Sequence, residues 1–300
     1  MSIWNVNYRM GIPRFDQEHQ ELFRISEQIL NQIRSCGDES GRNKQLAEEW
    51  LCNLHHHFRG HVLSEEIYMA ENGYEGLHLH RKLHDDFYKT QQLQYQTITE
   101  HGKYTKEEIW DFVGAGVGWL IEHIANVDMA IVGKNIAPRR GRWNVTRQEM
   151  EEKINLLFVS VLNTDLHARI IDTNYKGEDL GKTIYQKMEY KVENQEVTVI
   201  TGVEKGLVLA VGRQLYGKDA DDEMDLVLST FNTFGMHFWQ SLSRHFLGTD
   251  AQLEIKEGHI LLGKSFPVEF LRLKPALSIL FATDVGSFFV ASSYAGIFLP

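Results

Sequence analysis

Three hundred residues suit two domains of ordinary size, because a single hydrophobic core seldom grows beyond about 250–300 residues. The composition, 43% hydrophobic and 24% charged, describes a soluble globular chain, and a net charge of −10 shared by both halves leaves no basic footprint for nucleic acid. No apolar run reaches the roughly 18–20 residues of a membrane span, no apolar targeting segment opens the chain, and two cysteines, Cys36 and Cys52, are too few for a disulfide framework, so a cytoplasmic location is expected.

In chain order, the first helix opens at Asp16, carries Leu22, Ile25, Ile29, Leu30 and Ile33 on one face, and ends at the polar turn SCGDESG. The second runs from about Arg42 to Met69 through Leu46, Trp50, Leu54 and Phe58, and stops at Asn72-Gly73. A third covers about 77–98, and a fourth starts at Thr105, where TKEE offers an N-cap with Glu108 at the capping-box position, and continues to about Val132. Long helices joined by short polar turns predict an all-α, up-down-up-down four-helix bundle over residues 1–135. The pattern breaks at GKNIAPRRGRWNVT, which places a linker at 136–146.

Residues 147–300 change period and predict an α+β domain. A helix through Met150, Ile154, Leu157, Phe158 and Val161 leads into EVTVITGVE and GLVLAVG, both expected as strands. A long helix over about 221–247 follows, and ALSILFATDVGSFFVAS ends the pattern as a strand pair turning at DVGS.

The chemistry concentrates in histidines. On a helix, residues i and i+4 lie about 40° apart on one face, so a His and a carboxylate at that spacing can reach one ion. His61 and Glu65 have this spacing on the second helix, and His80 and His84 have it on the third. His19 lies early in the first helix, and His123 with Asp128 late in the fourth. In an antiparallel bundle these side chains converge. Five imidazoles and two carboxylates exceed what one zinc takes, and mixed N/O ligation suits two first-row ions sharing carboxylates, with iron the natural choice. His123 and Asp128 are i, i+5, about 140° apart on an ideal α-helix, so a local widening of that helix or a long carboxylate reach is implied. His55, His56 and His57 are expected to stand outside the site, Glu66 to face solvent or a backbone group, and His78 and His101 to lie on the surface.

These motifs resemble those of bacterial hemerythrins. WNVNYRMGIPRFDQEH is similar to that family's opening segment, with Trp4, Gly11, Ile12, Asp16 and His19 in register. His61, Glu65, Glu66 and Met69 repeat H-x-x-x-E-E-x-x-M; His80 and His84, followed by Phe87, repeat H-x-x-x-H; His123 and Asp128 repeat H-x-x-x-x-D. The likeness spans about residues 4–132. It implies two non-haem irons joined by an oxo or hydroxo bridge. His80, His84 and His123 would hold one iron and His19 and His61 the other, with Glu65 and Asp128 bridging both. The second iron is left one protein ligand short, which is where O2 or a similar diatomic ligand would bind.

From about 147 to 295 the chain resembles the CheC/CheX/FliY group of chemotaxis proteins, through GVEKGLVLAVG, the helix DLVLSTFNTFGMHFWQSL and the late strands. That family dephosphorylates a response regulator with an E-x-x-N pair. Asn232 is present here, but Ser229 stands where the acid belongs, with Asp225 a turn earlier as a substitute. The departure argues against phosphatase activity and for a module that binds a response regulator or another chemotaxis protein, or that forms a homodimer. The expected function is an O2-binding, redox- or NO-sensing diiron protein coupled to a signalling output domain. Two alternatives stay open: O2 storage or delivery with the second domain serving oligomerisation, and a diiron peroxide or nitric oxide scavenger.

Overall fold

The computed structural model describes residues 2–37, 39–134, 146–162, 164–192, 195–247 and 253–294. The expected linker, 136–146, falls outside the described residues except for Thr146. The chain divides into two units, one of Met1–Asn135 with Asp222–Thr230 and the other of Ile136–Asp221 with Phe231–Pro300. No helix among the described residues is long and apolar enough to cross a membrane.

The first unit is the four-helix bundle. Helix α1 (Pro13–Ser35) starts with a proline at its first turn, where the missing N–H costs nothing, and buries Leu22, Ile25, Ile29 and Ile33 as one stripe. Ahead of it, Asp16 accepts from the backbone N–H of Met10 at 2.7 Å and of Gly11 at 3.2 Å, which pins the opening segment to the helix. Helix α2 (Ser40–Asn53) passes through a single π-helical turn, Leu54–Phe58, into α3 (Arg59–Glu71). The π turn lets Leu46, Trp50, Leu54, Phe58, His61 and Glu65 all face inward along a rod that an unbroken 3.6-residue period would rotate away. Helix α4 (Leu77–His101) ends at Gly102, whose φ of 65° supplies the left-handed stop. Helix α5 (Lys106–Glu122) begins with the expected capping box between Thr105 and Glu108, then runs through a second π-helical stretch, His123–Asp128, into the short α6 (Met129–Ile131). Helix α1 packs on α2 and α5, and α4 on α3 and α5, which closes the ring of four.

The second unit is an antiparallel sheet with helices on both faces. Its helices are α7 (Arg147–Leu162), α8 (Lys205–Tyr216), α9 (Met224–Leu247, here from Phe231 onward) and α10 (Phe266–Leu273). Among the described residues the six strands are β1 (Arg169–Asp172), β2 (Thr183–Val192), β3 (Gln195–Glu204), β4 (Leu253–Leu261), β5 (Leu277–Thr283) and β6 (Gly286–Ser292). They run in the order β1-β5-β6-β3-β2-β4. The β5–β6 hairpin turns at Asp284-Val285 as expected, with Thr283 opposite Gly286. On one face Tyr185, Ile200, Phe289 and Ala291 pack with Phe266 and Phe270 of α10 and with Tyr175.

The segment GLVLAVG departs from expectation: it lies in α8, not in a strand. Its buried positions, Leu207, Val208, Gly212, Leu215 and Tyr216, recur at helical spacing once Arg213-Gln214-Leu215-Tyr216 is included. A short apolar run alone does not distinguish a buried strand from a buried helix. Strands β1, β2 and β4 and helix α10 lie beyond the elements that the sequence pattern predicts.

Gly202 on β3 makes the ring cluster fit. A Cβ there would run into the Phe289 ring and lie 2.9 Å from Tyr185 Cδ1, and Phe289 is fully buried. Gly202→Ala is therefore expected to cost about 1–3 kcal/mol in urea unfolding of the second unit; an unchanged midpoint would show that the rings can move aside.

Candidate metal centre

Seven side chains from all four bundle helices meet in the core, and each is at most 3% exposed. His19 comes from α1, His61 and Glu65 from α3, His80 and His84 from α4, and His123 and Asp128 from the π-helical end of α5. That stretch provides the widening which the i, i+5 spacing implies: with more residues per turn, His123 Nε2 comes to 3.0 Å from Asp128 Oδ1.

The donors form two groups. Glu65, His80, His84, His123 and Asp128 make one; His19, His61, Glu65 and Asp128 make the other; within each, one ligand atom per residue lies within 4.8 Å of the rest. Glu65 and Asp128 belong to both. Asp128 Oδ1 is 3.3 Å from His80 Nε2, while its Oδ2 is 3.2 Å from His19 Nε2. Glu65 Oε2 is 3.4 Å from both His61 Nε2 and His80 Nε2. Imidazole nitrogens also face one another, His19 to His61 at 3.1 Å, His80 to His84 at 3.1 Å and His84 to His123 at 2.9 Å.

This set fits cations. All four carboxylate oxygens of Glu65 and Asp128 are buried without an aligned hydrogen-bond donor among the described residues, an arrangement too costly unless a positive charge sits among them. The electrostatics agree. Burial and the like charge of Asp128 push Glu65 up, but His61, His19 and His80 outweigh them and hold it far below the usual carboxylate range. Asp128 is likewise held down against burial, by His123 and His19. Burial lowers His19, yet Asp128 and Glu65 raise it to about 9. His80 is raised against burial by the same two carboxylates. His84 is lowered and His123 falls to about 3, burial being the leading cause, so both are neutral donors. Aromatic rings dry the walls: Trp119 stacks on His123 at 4.1 Å, Phe58 meets His84 edge-on at 5.6 Å, and Phe15 meets His61 at 6.2 Å.

The remaining histidines lie elsewhere. His55 and His56 are exposed, His55 touching the Tyr88 hydroxyl, and His57 is half-buried outside both donor groups. His101 pairs with Glu108 at 3.4 Å on the surface, and His78 is exposed, both as expected. Glu66 binds Arg81 at 2.8 Å, and the nearby His84 and that guanidinium hold its carboxyl below the usual range. The sequence pattern overlooks Glu18, whose Oε2 lies 3.0 Å from His61 Nδ1 across 43 residues of chain. An acid beside a ligand-type histidine is a faint signal, because nothing local names its partner.

In the second unit, Asn232 is tied into the helix–sheet packing. Its Nδ2 donates to the Gly258 carbonyl at 3.3 Å and its Oδ1 accepts from Gln186 Nε2 at 3.0 Å. Ser229, in the first unit, donates its hydroxyl to the Asp111 carbonyl at 2.6 Å, and Asp225 is exposed.

Comparison with known proteins bears on the bundle. Residues 10–134 match the hemerythrin HHE cation binding domain family. The chain is 29% identical to a bacteriohemerythrin of Clostridium acetobutylicum, over 43% of this chain and 96% of that protein. It is 26% identical to a myohemerythrin of Theromyzon tessulatum, over 44% and 91% respectively. A hemerythrin from Sipunculus nudus is 25% identical, over 42% of this chain and 87% of its own. Among solved structures, the chemotaxis protein CheX from Vibrio vulnificus aligns with 47% of this chain and 93% of its own, at 8% identity and a TM-score of 0.33. The converging, buried histidine and carboxylate cluster lies on four helices within the segment that matches this family, and residues 10–134 are a hemerythrin HHE cation-binding domain.

Proposed function

We propose that the bundle holds two iron ions and binds O2, and that the second domain is a CheX-like output module contacting a chemotaxis response regulator or a similar partner. The observation behind the first part is that two donor groups share Glu65 and Asp128. His80, His84 and His123 would hold one iron and His19 and His61 the other, with Glu65 and Asp128 available to both. A bound iron pair supplies reversible two-electron chemistry toward O2. The chain's own residues orient and protect: the second group has four donors against five in the first and so leaves room for a small ligand, while Phe58, Trp119 and Phe15 keep water out. With two carboxylates against five histidines, the donor set favours this reading over a peroxide or nitric oxide scavenger, which typically uses carboxylate-rich Glu-x-x-His ligation.

The output reading rests on the sequence pattern of the long helix and late strands. Partner capture by the reduced and the oxygenated protein distinguishes it from O2 storage, for which no partner depends on the ligand state. The metal reading is tested by counting iron in the anaerobically reduced protein and following the visible spectrum as O2 and then azide are added. Two irons per chain and a reversible oxygenated band are expected. One metal or none, or irreversible bleaching, would overturn O2 binding.

A further inference from the structure

Glu18 sits one residue before His19 on α1 but turns away from the donor cluster. Its Oε2 is 3.0 Å from Nδ1 of His61 on α3, and its Oε1 accepts from Arg14 Nε at 2.9 Å. Arg14 reaches on to the Ser64 hydroxyl, which donates to the Gly60 carbonyl at 2.8 Å. The arrangement straps α1 to α3 beside the donor group with four members, and it grips the His61 ring from its outer side. On the inner side, His61 Nε2 faces His19 Nε2 at 3.1 Å and Glu65 Oε2 at 3.4 Å.

A neutral imidazole carries its proton on one nitrogen or the other, and only the bare nitrogen can donate to a cation. A carboxylate at Nδ1 keeps the proton there and leaves Nε2 bare. It also stops the ring from rotating about its own axis. By contrast, Nδ1 of His19 and His80 is buried with no hydrogen-bond partner among the described residues. The grip is fixed from its other side, because the second carboxylate oxygen of Glu18 is held by Arg14.

We propose that Glu18 is the positioning residue of the two-histidine half of the centre, accepting the Nδ1 proton of His61 so that Nε2 is presented bare and inward. The proposal deepens the metal reading given above and rests on it. It assigns to one partly exposed acid the preorganisation of the half with fewer protein donors, where a small ligand would enter.

The test uses the full chain as wild type, Glu18→Ala and Glu18→Gln. The first readout is the set of imidazole ¹⁵N shifts of the chelator-treated protein at about pH 8.5, above the ordinary imidazole range, where the two tautomers separate clearly. Wild-type His61 is expected to carry its proton on Nδ1, and Glu18→Ala to move it wholly or partly to Nε2. The second readout is anaerobic ferrous iron titration against a competing chelator. Glu18→Ala is expected to weaken the weaker of the two binding steps by about 10- to 100-fold, as loss of an outer partner to a ligand histidine typically does. Glu18→Gln, which keeps an acceptor without charge, is expected to recover part of both signals. An Ala variant with the wild-type tautomer and iron binding within about twofold overturns the proposal, as does one that merely melts earlier with the tautomer unchanged. Failure of the wild type itself to take up iron overturns the metal reading instead, while the tautomer measurement still decides whether Glu18 governs His61.

Discussion

Glu65→Ala is expected to abolish iron binding at both positions of the centre, whereas His61→Ala is expected to leave one iron per chain. The difference follows from membership: Glu65 belongs to both donor groups and His61 to one. Loss of an outer partner alone typically costs 10–100-fold in metal affinity, and Glu65, proposed as a direct donor, faces His61, His80 and His84 at 3.4, 3.4 and 3.7 Å, so its loss should exceed that range. Iron analysis after anaerobic reconstitution reads the result. A Glu65→Ala protein that retains two irons would remove the bridging assignment, and a His61→Ala protein that loses both would mean that the halves do not load separately.

The second large effect concerns pH. In chelator-treated protein His19 is raised from 6.5 to about 9 by Asp128 and Glu65, against the opposing effect of burial. A raised folded pKa stabilises the fold fully below the unfolded value and ceases to do so as pH climbs through the folded value. The pairing is therefore expected to contribute about 3 kcal/mol near pH 6 and to disappear by about pH 9.5. The depressed Glu65 and Asp128 report the same pairing from the acid side, present above the ordinary carboxylate range and lost as pH falls well below it. The two contributions describe one interaction and are not summed. Iron bound through His19 would displace its proton, so the loaded protein should lack the alkaline loss, and loading should release protons. Urea midpoints at pH 6 and pH 9.5, with and without iron, decide the matter; equal alkaline losses in both forms would refute it.

The metal cluster was legible because its information is local. Spacings of four residues put His61 with Glu65 and His80 with His84 on single helix faces whatever the rest of the chain does. The spacing of five between His123 and Asp128 implied either a widened turn or a long carboxylate reach, and the π-helical stretch at that point supplies the first. The bundle was legible for the same reason, since apolar periodicity over long segments has one reading. The second domain was less so. Its general class follows from alternation and a long helix, but GLVLAVG is short enough to read either way, and its helical form emerges only where it packs over β3 and β6.

The sequence alone thus determined the four helices and which seven side chains share their inward faces, because periodicity and spacing within one element dictate which side chains share a face. Tertiary structure decided what joins elements distant in the chain. It paired β3 with β6 across more than eighty residues, gave Glu18 to His61, and committed the Asn232 amide to Gln186 and Gly258. Such partnerships depend on which surfaces pack together, and no local spacing encodes that choice.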